Sequence, residues 1–103
     1  MGYRLVVPVL FGLTDHESRL LGGLLTREIM SKSQILSALY GHLPPDDEPE
    51  IKIVDVYVCK ARRKLKRFGV SIETKWGGGY YMTREAKAKV REYLALETGA
   101  NNG

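Results

Sequence analysis

The stretch Ile51-Lys52-Ile53-Val54-Asp55-Val56-Tyr57-Val58-Cys59-Lys60-Ala61-Arg62-Arg63-Lys64-Leu65-Lys66-Arg67-Phe68 has two sides. At 100° per residue, Ile51, Val54, Val58, Ala61, Leu65 and Phe68 fall within about 100° of arc, the apolar stripe of a helix lying on a core. Opposite them stand Lys52, Val56, Cys59, Lys60, Arg63, Lys66 and Arg67, and five of these seven are cations. Gly69 is placed to stop the helix. Between Lys52 and Lys75, eight basic residues (Lys52, Lys60, Arg62, Arg63, Lys64, Lys66, Arg67, Lys75) face two acidic ones (Asp55, Glu73), a net of +6, whereas residues 41–50 just before carry four acids and no base. The formal charge of +4 over 103 residues therefore conceals a directional distribution. A helix with one apolar and one basic side suits the major groove of duplex DNA, with neighbouring lysines and arginines on phosphates. A solvated cationic face explains the charge equally well, so the surrounding elements must decide.

Moving toward the N-terminus, residues 41–50 hold three prolines and no period, which marks a loop. Ser31 with Gln34 forms a capping box, followed by Ile35, Leu36, Leu39 and Tyr40 at helical spacing, and Gly41 is expected to end this helix in the left-handed conformation. Thr14 with Glu17 forms another box, followed by the apolar face of Leu20, Leu21, Leu24 and Leu25. Gly22 and Gly23 weaken that helix by about 1 kcal/mol each, and close approach of a neighbouring backbone would account for them. Residues 1–12 read as an N-terminal strand or arm. The run Leu5 to Phe11 lacks a signal cleavage site and is too short to span a bilayer, and Val6 stands where a myristoylation signal wants Ser or Thr.

Toward the C-terminus, Val70-Ser71-Ile72-Glu73-Thr74-Lys75-Trp76 alternates with period two, Gly77-Gly78-Gly79 supplies a turn, and Tyr80-Tyr81-Met82 returns as the second strand of a hairpin. Tyr80 and Tyr81 point opposite ways, one to the core and one outward. Thr83 caps a last helix through Glu97 with Ala86, Val90, Tyr93 and Leu94 on its apolar side, and residues 98–103 read as a disordered tail. The chain is thus one small α+β domain, mainly α: three helices and a C-terminal β-hairpin wing over residues 13–82, then an extra helix over 83–97. A single cysteine, Cys59, fits a reducing, cytoplasmic compartment.

This order of elements is that of a winged helix-turn-helix, in which the third helix reads base edges and the hairpin reaches backbone or minor groove. The motifs Leu13-Thr14-x-x-Glu17, Ser31-Lys32-x-x-Ile35-Leu36, Leu39-Tyr40-Gly41, Val54-Asp55-Val56-Tyr57-Val58, Arg62-Arg63-Lys64-Leu65 and Ile72-Glu73-Thr74-Lys75-Trp76-Gly77-Gly78-Gly79-Tyr80 resemble the DNA-binding domain of OmpR/PhoB-type response regulators. Within the family, the run from Asp47 to Lys60 and the Trp76-Gly77-x-Gly79-Tyr80 wing are most similar to its cell-cycle members.

The resemblance implies a sequence-specific transcriptional regulator of double-stranded DNA in the bacterial cytoplasm, associated with the nucleoid. It places a recognition helix at about 51–68 in the major groove, with Val56, Cys59, Lys60 and Arg63 facing the bases, and the wing at about 70–82. It assigns Ser31, Lys32, Lys52, Tyr57, Arg67, Lys75 and Trp76 to the DNA backbone. Asp55 and Arg62 share a side of the helix by angular count and are expected to form an ion pair that braces it. The wing departs from many members, since Gly78 stands between glycines where they carry Arg, and Trp76 is open to packing under the wing or lying on sugar.

The resemblance also implies contact with RNA polymerase through loop 41–50 and dimers on tandem half-sites. The 103 residues include neither a receiver domain nor its phospho-acceptor, and residues 1–12 are too few for the sheet that usually precedes the first helix, so control by receiver phosphorylation is not expected. The last helix then either covers the core that such a sheet would cover or pairs two protomers. An alternative function is a protein-binding module or decoy engaging a full-length regulator or the polymerase. Catalysis, a metal site and a cofactor are not expected: His16 and His42 have no ligand-spaced companions, and no nucleophile has a nearby base.

Overall fold

A computed structural model describes residues 11–98. Its first helix, α1, covers Asp15–Thr26; Thr14 caps it, with Oγ1 accepting from the Glu17 amide and the Glu17 carboxylate accepting from the Thr14 amide. A two-residue strand β1, Met30–Ser31, leads into α2, Lys32–Tyr40, whose capping box pairs Ser31 with Gln34 in the same reciprocal way. Both caps are those expected from sequence. After α2 the chain makes a 3-10 turn at Pro45–Asp47, then enters α3, Lys52–Lys66. The hairpin strands are β2, Glu73–Lys75, and β3, Gly79–Tyr81, followed by α4, Arg84–Thr98.

Three elements of the core come from three sequence stripes. Leu20, Leu21, Leu24 and Leu25 of α1, Ile35 and Leu39 of α2, and Val54, Val58, Ala61 and Leu65 of α3 are all buried together. At such sites a Leu→Ala change typically costs about 2–5 kcal/mol. Ile51, expected on this stripe, is instead 42% exposed, because it stands at the helix start rather than within it. Basic residues in the last turn of α3, Arg63, Lys64 and Lys66, complement the helix dipole.

β1 was not legible as a strand, yet it completes the wing as a three-stranded antiparallel sheet in the order β1-β3-β2. Met30 pairs with Tyr80 and Ser31 with Gly79; across the hairpin, Lys75 pairs with Gly79. The turn is therefore Trp76-Gly77-Gly78. Gly77 and Gly78 adopt φ of +101° and +113°, which only glycine reaches without strain, while a Cβ on Gly79 would come within 2.7 Å of the Met30 carbonyl oxygen. Tyr80 is buried and Tyr81 half-buried, the expected alternation.

Two glycine expectations are corrected. Gly41 ends α2 at φ −63°, ψ −14°, a right-handed conformation, because the chain continues into a turn in which Leu43 donates to the Tyr40 carbonyl. Gly23 makes room for the Met30 thioether, whose sulfur lies 2.8 Å from where its Cβ would be, and no backbone approaches Gly22 within 4 Å. The close neighbour is thus a side chain arriving from β1.

α4 closes one end of the core. Ala86, Val90 and Leu94 are buried, and Phe11, Phe68 and Tyr93 meet edge to face with ring centroids 4.8–5.9 Å apart. Arg91 donates to the Leu25 carbonyl at 3.0 Å and Lys87 to the Arg27 carbonyl at 2.8 Å. These cations serve the C-terminal carbonyls of α1, whose own last turn has no basic residue. The apolar face of α4 is therefore spent on the chain's own core. Of the arm expected over residues 1–12, residues 1–10 lie outside the described residues and Phe11 is buried in the core; of the tail expected over 98–103, Thr98 instead ends α4 and the rest lies outside the described residues.

Candidate nucleic-acid interface

The outward side of α3 follows from its spacing. Val56, Cys59, Lys60 and Arg63 succeed one another at intervals of three, one and three, so they form one continuous patch on the side away from the core. All four are exposed and, with Asp55, they line a shallow depression. Val56 and Cys59 supply small apolar surface, and Cys59 is a free thiol. Lys60 and Arg63 supply donors, which match the major-groove acceptors of guanine and thymine, while Val56 has the shape to meet a thymine methyl. Lys52, Lys66 and Arg67 lie exposed around this patch, and Lys75 is exposed on the wing.

Two of the eight cations counted in this segment are occupied internally. The Lys64 ammonium lies 2.7 Å from Glu17 Oε1, and the Glu17 side chain is only 1% exposed. Burial alone would raise the Glu17 pKa; Lys64 and the donors of Thr14 outweigh it and hold the carboxyl below its ordinary value. α3 and α1 are thereby joined by an ion pair. Arg62 is the second. Its Nε donates to the Ile72 carbonyl at 2.8 Å and a terminal nitrogen donates to Thr74 Oγ1 at 2.7 Å.

The expected Asp55–Arg62 ion pair is therefore absent. Asp55 and Arg62 do share a side of α3, but they stand seven residues and two turns apart, a rise of about 10 Å. Tyr80 occupies the interval: its hydroxyl donates to Asp55 Oδ1 at 2.5 Å, and the Arg62 guanidinium carbon lies 5.4 Å from its ring centroid. Lys32, at the start of α2, completes the group with Nζ 3.2 Å from Asp55 Oδ1 and 3.3 Å from Oδ2. The Tyr80 hydrogen bond and the Lys32 charge hold the Asp55 carboxyl below its ordinary value; burial and the carboxylate push Tyr80 up to about 12.

The residues expected on the backbone fall in different settings. Ser31 uses its hydroxyl as the α2 cap, and Lys32 is shared with Asp55. Tyr57 is half-buried, with its hydroxyl 2.9 Å from that of Tyr40 and its ring stacked on His16 at a centroid distance of 5.3 Å. Burial, followed by this contact, pushes Tyr40 up to about 12. Trp76 is 94% exposed at the tip of the turn and does not pack under the wing. Sequence reasoning missed Tyr80 and Glu17 as partners of α3. Spacing signalled only that Asp55 and Arg62 shared a side, and nothing local announced a residue between them. Among the described residues, no helix is long and apolar enough to cross a membrane.

Comparison with known proteins agrees with this architecture. Residues 10–82 match the family model described as "Transcriptional regulatory protein, C terminal". Over 85 residues the chain is 44% identical to the cell cycle response regulator CtrA of Brucella anthropi, and 42% identical to the proteins of the same name from Brucella ovis and Brucella canis. Each alignment covers 78% of this chain and 35% of the relative, so the chain spans about a third of the length of these regulators. With its capped three-helix core, basic third helix and hairpin wing in that order, the chain belongs to the OmpR/PhoB-type DNA-binding domains that form the C-terminal part of transcriptional regulatory proteins.

Proposed function

We propose that this domain binds double-stranded DNA with sequence preference and regulates transcription, with α3 in the major groove and the wing against backbone or minor groove. The carrying observation is the outward patch of α3. It combines apolar surface (Val56, Cys59) with two donors lacking an ion-pair partner among the described residues (Lys60, Arg63), ringed by exposed cations. Patches with phosphate cations alone bind DNA without reading it; base contacts in addition confer preference. Lys52, Arg67 and Lys75 serve phosphates in this reading, and Trp76 lies along sugar. Ser31, Lys32 and Tyr57 reach phosphate only from the edge, since each already has a partner within the fold. The Brucella relatives, cell cycle response regulators, support a regulatory role of this kind.

Two partners extend the reading. A second copy on an adjacent half-site would make a dimer on DNA, and the exposed acids Asp46, Asp47 and Glu50 give loop 41–50 a surface for RNA polymerase. The test is titration of labelled promoter duplex and random duplex at two salt concentrations. Four exposed cations outside the base-reading pair (Lys52, Lys66, Arg67, Lys75) imply a log–log salt slope of about −3.6 if each meets a phosphate. Lys60→Ala with Arg63→Ala should lower the preference for promoter over random DNA by about tenfold or more. No preference in the wild-type chain, and no change in the variant, would sink the proposal. Retention of a regulator or polymerase after removal of the α3 cations would favour a protein-binding module instead.

A further inference from the structure

Asp55 is the one acidic residue of α3, and it sits beside the patch just described. Its side chain is 47% exposed, so burial does not silence it. A free carboxylate at the edge of a surface that meets phosphates and the acceptor-rich edge of guanine would oppose binding. In the structure both oxygens are engaged. Tyr80 gives its hydroxyl to Oδ1, and Lys32 lies within 3.3 Å of both oxygens. Tyr80 cannot swing aside: it is 6% exposed, it is paired through β3 with Met30 and Thr74, and Arg62 lies over its ring while tied to β2.

We infer that Tyr80 and Lys32 form a clamp that withholds the Asp55 carboxylate from bound DNA, making Tyr80, a residue inside the wing, a positioning residue for the recognition helix. This rests on the DNA-binding reading above. The arrangement also couples the two reading elements. A wing that is displaced from α3 withdraws the Tyr80 hydroxyl, and the carboxylate it releases lies next to Val56 and Cys59.

A double-mutant cycle in the full chain tests the clamp. The probe is a labelled duplex carrying the site that the wild-type chain selects from a random pool. Tyr80→Phe removes one oxygen and keeps the packed ring; Lys32 still offsets part of the Asp55 charge, so binding should weaken about three- to fivefold, the upper end being the effect of one full charge a few ångströms from an anion in a largely aqueous setting. In an Asp55→Asn background the same Tyr80→Phe change should alter affinity by less than about twofold, because no charge remains to be released. Lys60→Ala serves as the control and should weaken binding in both backgrounds. Equal loss from Tyr80→Phe in both backgrounds, or loss in neither, while Lys60→Ala still weakens binding, overturns the clamp alone. Binding indifferent to Lys60→Ala as well overturns the DNA-binding reading. Circular dichroism verifies folding; if Tyr80→Phe fails to fold, Lys32→Ala is run in the same two backgrounds, with the greater loss expected where Asp55 is present and equal losses refuting the clamp.

Discussion

Replacing Lys64 by Met would strand the Glu17 carboxylate, and the cost can be worked from the geometry. Met keeps most of the apolar stem but removes the ammonium 2.7 Å from Oε1, leaving a side chain 1% exposed with only the donors of Thr14. Breaking a buried pair from one side typically costs about 3–5 kcal/mol. Protonation limits it here: at pH 7, loading a proton on a carboxyl whose ordinary pKa is 4.5 costs about 3 kcal/mol, at about 1.4 kcal/mol per pH unit, and at pH 5 less than about 1 kcal/mol. The wild-type carboxyl has a lowered pKa, so it contributes stability above pH 4.5 that is lost as pH falls through its folded value. In the variant the pKa is raised and the sign reverses. The difference between the two proteins should therefore widen by about 2 kcal/mol between pH 5 and pH 7, measured by urea unfolding at each pH. Glu17→Gln should cost less at pH 7, about 1 kcal/mol, since the Lys64 side chain is 36% exposed and can turn to water. A gap independent of pH, or a larger cost for Glu17→Gln, would refute this assignment of the ion pair.

Trp76 is the single tryptophan of the chain, so its fluorescence reports the wing tip alone. On addition of duplex its emission should shift to the blue and its quenching by acrylamide should fall; unchanged emission while anisotropy shows binding would remove Trp76 from the interface. Trp76→Ala should weaken binding by up to about thirtyfold, the effect of covering roughly 80 Å² of indole at about 25 cal/mol per Å². Arg62→Ala should cost about 1–3 kcal/mol and speed hydrogen exchange at the amides of β2, because it removes the contacts to Ile72 and Thr74; unaltered exchange there would contradict the tether. Gly69→Ala should cost about 1 kcal/mol in a thermal melt, since the residue holds φ +72° at the end of α3 and the nearest obstacle is the flexible Lys89 ammonium; an unchanged melting temperature would count against that strain.

What could be read in the sequence was local. Thr14 with Glu17 and Ser31 with Gln34 each lie three residues apart, so their boxes are written in adjacent letters, and the stripe of Val54, Val58, Ala61 and Leu65 needs only the helical period. The outward patch of Val56, Cys59, Lys60 and Arg63 follows from the same period and is exposed as expected. The missing parts involve distance along the chain. Glu17 meets Lys64 across 47 residues, and Tyr80 meets Asp55 across 25. β1 is two residues long, too short for alternation to show, and exists because β3 passes beside it. Asp55 and Arg62 show the difference most clearly: angle around a helix is legible, whereas rise along it decides the partner. Trp76 projects because Lys75 pairs with Gly79, a register that composition alone does not set.

Selection of bound sequences from a random duplex pool by the wild-type chain, run beside the Lys60→Ala, Arg63→Ala variant, addresses the reading role of α3. The wild-type chain should enrich a short motif within a few rounds, and the variant should retain salt-sensitive binding while losing enrichment at two or more of the enriched positions. A pool that stays random with the wild-type chain, or a motif that survives intact in the variant, would contradict recognition through the outward patch of α3.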